Sequence, residues 1–434
     1  MKTLFALELH IIRQNPYMFD KIVNEFYETI VGSGNSKDWN DISPYMLISK
    51  YQIVGNSDFL ITLPPAVEKE LMSFLIPWGE NSVSLWCDLM RGEGKIAELY
   101  SDILQWLATR HGIECFVYWG TNHTIRKFCK SAGLRSIAME LGPTRSPFLP
   151  TRYCDFAGVN GDAHVRNVDI SAFEPMNLTA WRQSGGVCFA NGSREDSIFN
   201  PLTTRYAERI YHRKKPCACL VLQLDDDSNC LIHSRYSGML EMVQEVVPKL
   251  LDAGWLVLVK PHPGAGRNLV MNRDGARWMN VVAHEKCHEY INQLNSDSAC
   301  WLDDVPPAEY PSLLSKMDAV ITVNSSVGFE AMLMERPVVA LGRAPYNIQD
   351  KLPTLDQLLE NRIDYDAYTD FCRRTGNLML NYYLGSANMA SCPNELSRAI
   401  WRNLILEDAW DRGGSVELTA AIRRNPMNLI HHKV

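Results

Sequence analysis

Two acidic positions stand where carboxylates can do chemistry. Glu140 closes the apolar run 136–139, and the triplet Asp225-Asp226-Asp227 closes the run 218–224. One carboxylate can trap a sugar as a covalent intermediate while a second serves as acid and then as base. Asp227 and Glu140 would make such a pair if the fold set them face to face. The ordinary readings stay open. An acidic triplet is a common turn, and Glu140 can be a surface carboxylate at a strand end. The triplet could also hold a hard cation. Such sites need further oxygen ligands, however, and no second acidic cluster is clearly placed to supply them.

A second set of residues suits an anion. The segment 320–342 reads as a buried strand over 320–323, the turn Asn324-Ser325-Ser326, a helix over 327–334 and a second strand over 337–341. The first N–H groups of such a helix lack partners and carry the positive end of its dipole, so they favour a phosphate. Ser325 and Ser326 add hydroxyls, and Glu330, about a turn inside, could hold a ribose diol. The competing reading is a serine N-cap on an ordinary helix. In Lys260-Pro261-His262-Pro263 the flanking prolines stiffen the backbone, so the His262 ring could donate to a leaving phosphate, with Lys260 as a point charge. A lone histidine is more often a satisfied loop residue. Arg145 is either a bidentate carboxylate binder or a solvated loop charge.

These residues need a scaffold, and the pattern supplies one. A strand over 114–119, the turn Gly120-Thr121-Asn122, a helix over 125–132 closed by Gly133 and a strand over 136–139 make a parallel α/β unit. Beyond Glu140 the chain reads as an irregular loop to about residue 160. Residues 1–45 read as largely helical and then loop, 51–86 as mixed helices and short strands, 98–109 as a helix, and 161–210 as loops and helices. The basic stretch 211–216 reads as a linker. A second α/β pattern follows, with strands at 218–224, 255–259, 281–283 and 299–302, and helices at 237–251 and 307–317. A late helix falls at 401–411. Parallel strands place Asp225–Asp227, His262-Pro263 and Asn324–Ser326 along one sheet edge, with Glu140 facing them across a cleft. The expected division is a Rossmann-like domain over 1–213, a second over 214–390, and terminal helices over 391–434 that pack back on the first.

Composition excludes several alternatives. The chain has 434 residues, enough for two or three domains; 46% are hydrophobic and 21% charged, which argues against disorder. A net charge of −7 gives no footprint for nucleic acid. The 12 cysteines are scattered without a C-x-x-C pair, so they read as reduced thiols rather than metal ligands. No apolar run reaches the ~20 residues of a spanning helix. The first residues are too broken by Glu8, His10 and Arg13 for a signal peptide. The expected location is the cytoplasm. Arg423, Arg424 and His431-His432-Lys433 could touch the anionic inner face of a membrane.

Taken together, the motifs resemble the capsule-polysaccharide-synthesis family of bacterial β-Kdo transferases. The resemblance rests on Gln223-Leu224-Asp225-Asp226-Asp227-Ser228, on Lys260-Pro261-His262-Pro263 and on Asn324-Ser325-Ser326-Val327-Gly328-Phe329-Glu330-Ala331. It also rests on Glu140-Leu141-Gly142-Pro143-Thr144-Arg145-Ser146, which is similar to the family's E-D-G-F-x-R-S, and on Gly342-Arg343-Ala344-Pro345-Tyr346. The serine and His-Pro elements are shared with bacterial sialyltransferases. The resemblance implies an α/β GT-B fold, CMP-Kdo as donor, a glycan or lipid-linked glycan acceptor, β-linkage with retention and no metal or other cofactor. It implies that His262, Ser325 and Ser326 hold the CMP phosphate, that Glu330 holds the ribose, and that Lys260 lines the donor site. Glu140 matches the acceptor-side acid/base. Asp227, four places after Gln223, matches the constant aspartate and so the nucleophile. Arg145 would meet the Kdo carboxylate or order Glu140. Leu141 and Pro143 depart from the family pattern, which suggests a divergent branch acting in O-antigen rather than capsule assembly. Two other readings stand beside this one: an inverting CMP-sialic-acid-type transferase with Glu140 as base, and a silent GT-B carbohydrate-binding subunit.

Overall fold

The computed structural model describes residues 1–6, 20–48, 57–74, 80–187, 202–265 and 274–427. His431, His432 and Lys433 lie outside these. Among the described residues twelve strands form two sheets. The first contains β1 (Lys2–Ala6), β2 (Ser43–Ile48), β3 (Leu60–Thr62), β4 (Cys115–Trp119), β5 (Arg135–Leu141), β6 (Thr151–Asp155) and β12 (Gly385–Ser386), in the order β12-β6-β5-β4-β1-β2-β3. The second contains β7 (Cys217–Val221), β8 (Leu256–Lys260), β9 (Ala299–Trp301), β10 (Ala319–Thr322) and β11 (Val338–Ala340), in the order β11-β10-β7-β8-β9. All pairings in the second sheet are parallel; in the first only β6 is reversed, so its pairings with β5 and β12 are the antiparallel ones. Both sheets therefore share one winding, in which the first strand is central and the chain reverses direction beside it. Two Rossmann-like units face each other across a cleft, which is the GT-B arrangement expected from the sequence.

The central strands explain why this core forms. Cys217–Val221 and Leu256–Lys260 are buried on both faces, as continuous apolar runs in a parallel sheet should be. Gly112 and Gly133 close their helices in the left-handed conformation, at φ 65° and 68°.

Three expectations need correction. The described residues of 1–45 are not a helix followed by loop: β1 and β2 flank the helix Asp20–Ser33. Thr3, Leu4, Phe5 and Ala6 are buried on both faces of a central strand, and so short an apolar run has no period by which to tell strand from buried helix. Residues 151–155 are not loop but β6. Its sequence, Thr-Arg-Tyr-Cys-Asp, carries charges that strand patterns seldom show, and the fold satisfies them internally. Asp155 accepts from the Tyr383 hydroxyl (2.5 Å) and the His164 N–H (2.9 Å), and Arg152 pairs with Glu25 (2.5 Å). Residues 281–283 are not a strand but part of the helix Asp274–Gln293. Its buried positions Asn280, Ala283, His284, Cys287 and Ile291 recur at helical spacing, which outweighs the β-branched pair Val281-Val282.

The long helix Pro393–Arg424, interrupted at Gly413-Gly414, packs against the first sheet. The Trp401 Nε1–H donates to the Asn40 carbonyl (2.8 Å), and the Phe156 N–H donates to Asn403 Oδ1 (3.1 Å). Among the described residues no helix is long and apolar enough to cross a membrane.

Arg152 is buried, and its Nε and Nη1 find no partner among the described residues, so Glu25 is its compensating charge. Glu25→Ala should cost about 3 kcal/mol of unfolding free energy by urea titration, the penalty of an uncompensated buried cation; a change below about 0.5 kcal/mol would show that the pair is solvated.

Candidate active site

The carboxyl ends of β7, β8 and β10 bring the three second-domain motifs to one edge, and β5 brings Glu140 to the facing edge. After β7 the triplet divides. Asp225 accepts the Met239 N–H (2.9 Å) and so caps the helix Met239–Asp252; burial pushes its carboxyl up to about 6. Asp226 is buried and accepts from Asn280 Nδ2 (2.8 Å). Asp227 is the N-cap of the helix Ser228–His233, with its Oδ1 accepting the Asn229 N–H (2.9 Å). Gly238 is required by this layout, because a Cβ there would stand 2.7 Å from Asp225 Oδ2.

Of the three aspartates, Asp227 is the one whose charge reaches Glu140. Burial pushes the Glu140 carboxyl up to about 7; the Arg145 charge opposes that rise and the Asp227 charge adds to it. Glu140 Oε1 accepts the Leu141 N–H (2.8 Å). Arg145 donates through Nη1 to the Gly142 carbonyl and to the Thr144 carbonyl (3.1 Å), so it folds the loop onto itself beside Glu140. Its backbone N–H crosses the cleft to Glu330 Oε1 (2.8 Å).

On the opposite wall Ser325 caps the helix Ser326–Leu333, accepting the Val327 N–H (3.3 Å), and Ser326 opens that helix. Tyr346 lies fully buried beneath the turn, and its hydroxyl donates to the Ser325 carbonyl (2.7 Å). Gly328 exists for this contact: a Cβ there would be 2.2 Å from the Tyr346 hydroxyl. Gln223 and Asn324 hold each other through two amide bonds. Gln223 Nε2 donates to Asn324 Oδ1 (2.9 Å) and the Asn324 N–H donates to Gln223 Oε1 (3.0 Å), which ties the β7 end to the serine turn. Glu330 is buried, and burial pushes it up to about 7 against the pull of the Arg145 N–H and the Arg145 and Lys260 charges. Raised carboxyls of this kind favour the folded state at pH below 4.5, and that contribution is lost as pH rises through about 7.

After β8 the Lys260 ammonium lies buried, 4.4 Å from the centre of the Tyr310 ring. Among the described residues it makes neither a hydrogen bond nor an ion pair. A buried cation that lies over an aromatic face and feels a carboxylate only through its charge is a ready anion partner. His262 Nδ1 accepts the Gly264 N–H (2.9 Å), so the neutral ring carries its proton on Nε2, as a donor. Pro263 beside it is exposed.

Sequence reasoning missed the brace behind these loops. His284 is held neutral by burial; its Nδ1–H donates to the Asn280 carbonyl (3.0 Å), and its Nε2 accepts the His262 N–H (3.2 Å). Asn280 Oδ1 accepts the Asp225 N–H (2.9 Å) while its Nδ2 holds Asp226. Two residues four apart on one helix thus fix the triplet and the histidine loop together. The i, i+4 spacing of Asn280 and His284 was the available signal, and reading 281–283 as strand erased it. Among the described residues no group of three or more His, Cys, Asp or Glu side chains could hold a metal.

Two facing Rossmann-like units define the GT-B fold, with a serine-capped helix start in the second across the cleft from Glu140. Comparison with known families agrees. Residues 199–360 match the capsule polysaccharide biosynthesis protein family, and residues 67–164 match the N-terminal domain of the glycosyltransferase 99 family. These two matches, each over less than half of the chain, agree with the resemblance to a capsule-polysaccharide-synthesis family read from the motifs. A curated relative, the capsule polysaccharide export protein KpsS of Escherichia coli, is 24% identical over 269 residues; the match covers 52% of this chain and 64% of that protein, just under two thirds of its length. Among solved structures, the Thermosulfurimonas dismutans KpsC β-Kdo 2,4 transferase is 13% identical with a TM-score of 0.43, covering 90% of this chain and 93% of that one. The S. aureus MnaA–UDP structure is 10% identical with a TM-score of 0.35, covering 95% and 96%. The fold assignment itself stands on the strand order.

Gly328→Ala should cost about 2 kcal/mol in thermal or urea unfolding, through overpacking against Tyr346. Adding Tyr346→Phe, which removes the clashing oxygen, should recover part of that loss. A double variant no more stable than Gly328→Ala would show that the Tyr346 hydroxyl is not the obstacle.

Proposed function

We propose that the protein is a glycosyltransferase that moves Kdo from CMP-Kdo to a glycan or lipid-linked glycan acceptor with retention, in assembly of a bacterial surface polysaccharide. The observation that carries this reading is that Glu140, at the carboxyl end of β5, and Asp227, after the carboxyl end of β7, stand on the edges of facing sheets, with the Asp227 charge felt at Glu140. The family matches over both halves of the chain support glycosyl transfer. In this reading the chemistry is metal-free, and the protein works in the cytoplasm, at times on the inner face of the membrane.

The reaction runs in two displacements. The Asp227 carboxylate attacks the anomeric carbon as the bond to the phosphate oxygen breaks, and the pair of electrons leaves with CMP. Lys260, the His262 Nε2–H and the N–H groups at the start of the helix Ser326–Leu333 meet the charge that builds on that phosphate. The acceptor hydroxyl then attacks the same carbon, Glu140 takes its proton, and the Asp227–sugar bond breaks. Two inversions restore the starting configuration. A carboxyl raised to about 7 suits Glu140 to such a task, because a base works best when its pKa lies near the working pH. The carboxylate of Kdo finds Arg145 and the serine turn nearby. Glu330 would exchange the Arg145 N–H for the ribose diol as the donor enters.

Incubation with CMP-Kdo and CMP-sialic acid in parallel should release CMP from CMP-Kdo alone, and turnover of neither donor would support a binding subunit instead. Asp227→Asn should lower turnover at least ~1,000-fold, and a slowed variant should gain the mass of one Kdo on the protein; full turnover by Asp227→Asn, or an α-linked product by NMR, would sink the mechanism. The dependence of kcat/KM on pH should rise through a step near 7 as Glu140 loses its proton. That step should vanish in Glu140→Gln, and its survival there would assign it to another group.

A further inference from the structure

The short helix Ser228–His233 starts on Asp227 and runs along the seam between the two domains, and Asn229 is its node. The Asn229 N–H donates to Asp227 Oδ1 (2.9 Å), and its carbonyl accepts from Asn324 Nδ2 (3.0 Å). Its side-chain Oδ1 accepts from two residues of the other domain, Asn160 Nδ2 (2.6 Å) and the Thr121 hydroxyl (3.3 Å). One residue thus touches the candidate nucleophile, the serine turn and the opposite domain.

The first domain is shaped to reach it. Thr121 follows Gly120, which turns the chain at φ 71° beyond β4, and Asn160 sits in the left-handed region at φ 52°. Gly161 allows the approach, since a Cβ there would lie 2.6 Å from His233 Nδ1 and 2.7 Å from Arg343 Cβ. The far end of the helix is held by the same neighbour. Thr121 Oγ1 lies 3.2 Å from His233 Nε2, and Arg343 Nη2 lies 3.0 Å from His233 Nδ1. Burial keeps that ring neutral, with its pKa pushed down to about 4, so Nε2–H donates to Thr121 and Nδ1 accepts from Arg343. Thr121 then accepts from His233 and donates to Asn229.

We propose that Asn229 is a positioning residue: it converts the approach of the first domain into a fixed direction of the Asp227 carboxylate. This rests on the reading of Asp227 as nucleophile. A helix of six residues is too short to hold its own first turn, so the cap on which Asp227 depends is set by what anchors Asn229. With the Asn160 and Thr121 bonds made, the carboxylate points at the reacting carbon; with the domains apart, the turn is released. The contact of Asn229 with the serine turn runs through its backbone carbonyl, so the donor side keeps that bond when the side chain is lost.

Asn229→Ala keeps the backbone N–H and removes the anchor. It should lower kcat about 10- to 100-fold, the cost of misplacing a reacting group, with donor KM within about twofold. Asn229→Asp keeps the acceptor oxygens and should restore most of kcat. Asn160→Ala should lose as much as Asn229→Ala, and the double variant no more than either, because both break one link. If Asp227→Asn is inactive while Asn229→Ala keeps kcat within twofold, the positioning role is overturned and the nucleophile stands. If Asp227→Asn is fully active, both fall. Losses that add in the double variant, track a falling melting temperature and resist rescue by Asn229→Asp would reduce Asn229 to a structural contact.

Discussion

Two carboxylates buried on opposite walls of one cleft set the terms for everything around them. A charged carboxylate out of water is costly unless donors and cations are brought to it. Glu330 is met by the Arg145 N–H and the Lys260 charge, Glu140 by its own neighbouring N–H and by Arg145. Those partners come from both domains, so the solution to the burial problem is also the fastening of the cleft. Arg145 acts twice: its side chain folds the loop beside Glu140, and its backbone reaches Glu330.

Polar loops at the sheet edges are then held by amides rather than by apolar packing. Gln223 with Asn324 and Asn280 with the triplet each use a side chain that both donates and accepts, Asn229 accepts from Asn160, and none carries charge into a site that already holds several charges. This leaves the ionic groups of the cleft for ligands and chemistry, and it explains why Asp225 and Asp226, though adjacent to Asp227, serve as fasteners. Their partners are a helix start and an amide on the far side of the loop.

Much of this was legible in the residues. The parallel core of the second domain announced itself through apolar runs such as Cys217–Val221, and the strand ends placed Asp227, His262 and Ser325 on one edge before any coordinates. Gly328 and Tyr346 were visible as motif positions, although only the fold shows that one makes room for the other. What stayed hidden depended on contacts distant in sequence. β1 lacks a period because both its faces are covered, β6 carries charges whose partners lie at Glu25 and Tyr383, and Asn229 looks like any turn residue until Asn160 and Thr121 arrive. Local pattern reports which face is wet; it does not report which distant polar group will dry it.

The placement of β12 has a consequence for how the molecule is made. Gly385 and Ser386 pair with β6, and the helix beginning at Pro393 then covers the same sheet, after the whole second sheet has been traversed. On a ribosome the first domain emerges first but is finished last. Until residues beyond 384 appear, β6 is a bare sheet edge with buried charges awaiting cover, while the second domain can already close around its five strands. The earlier of the two units is thus completed by the segment that follows the later one, and the two cannot be separated by a single cut in the chain.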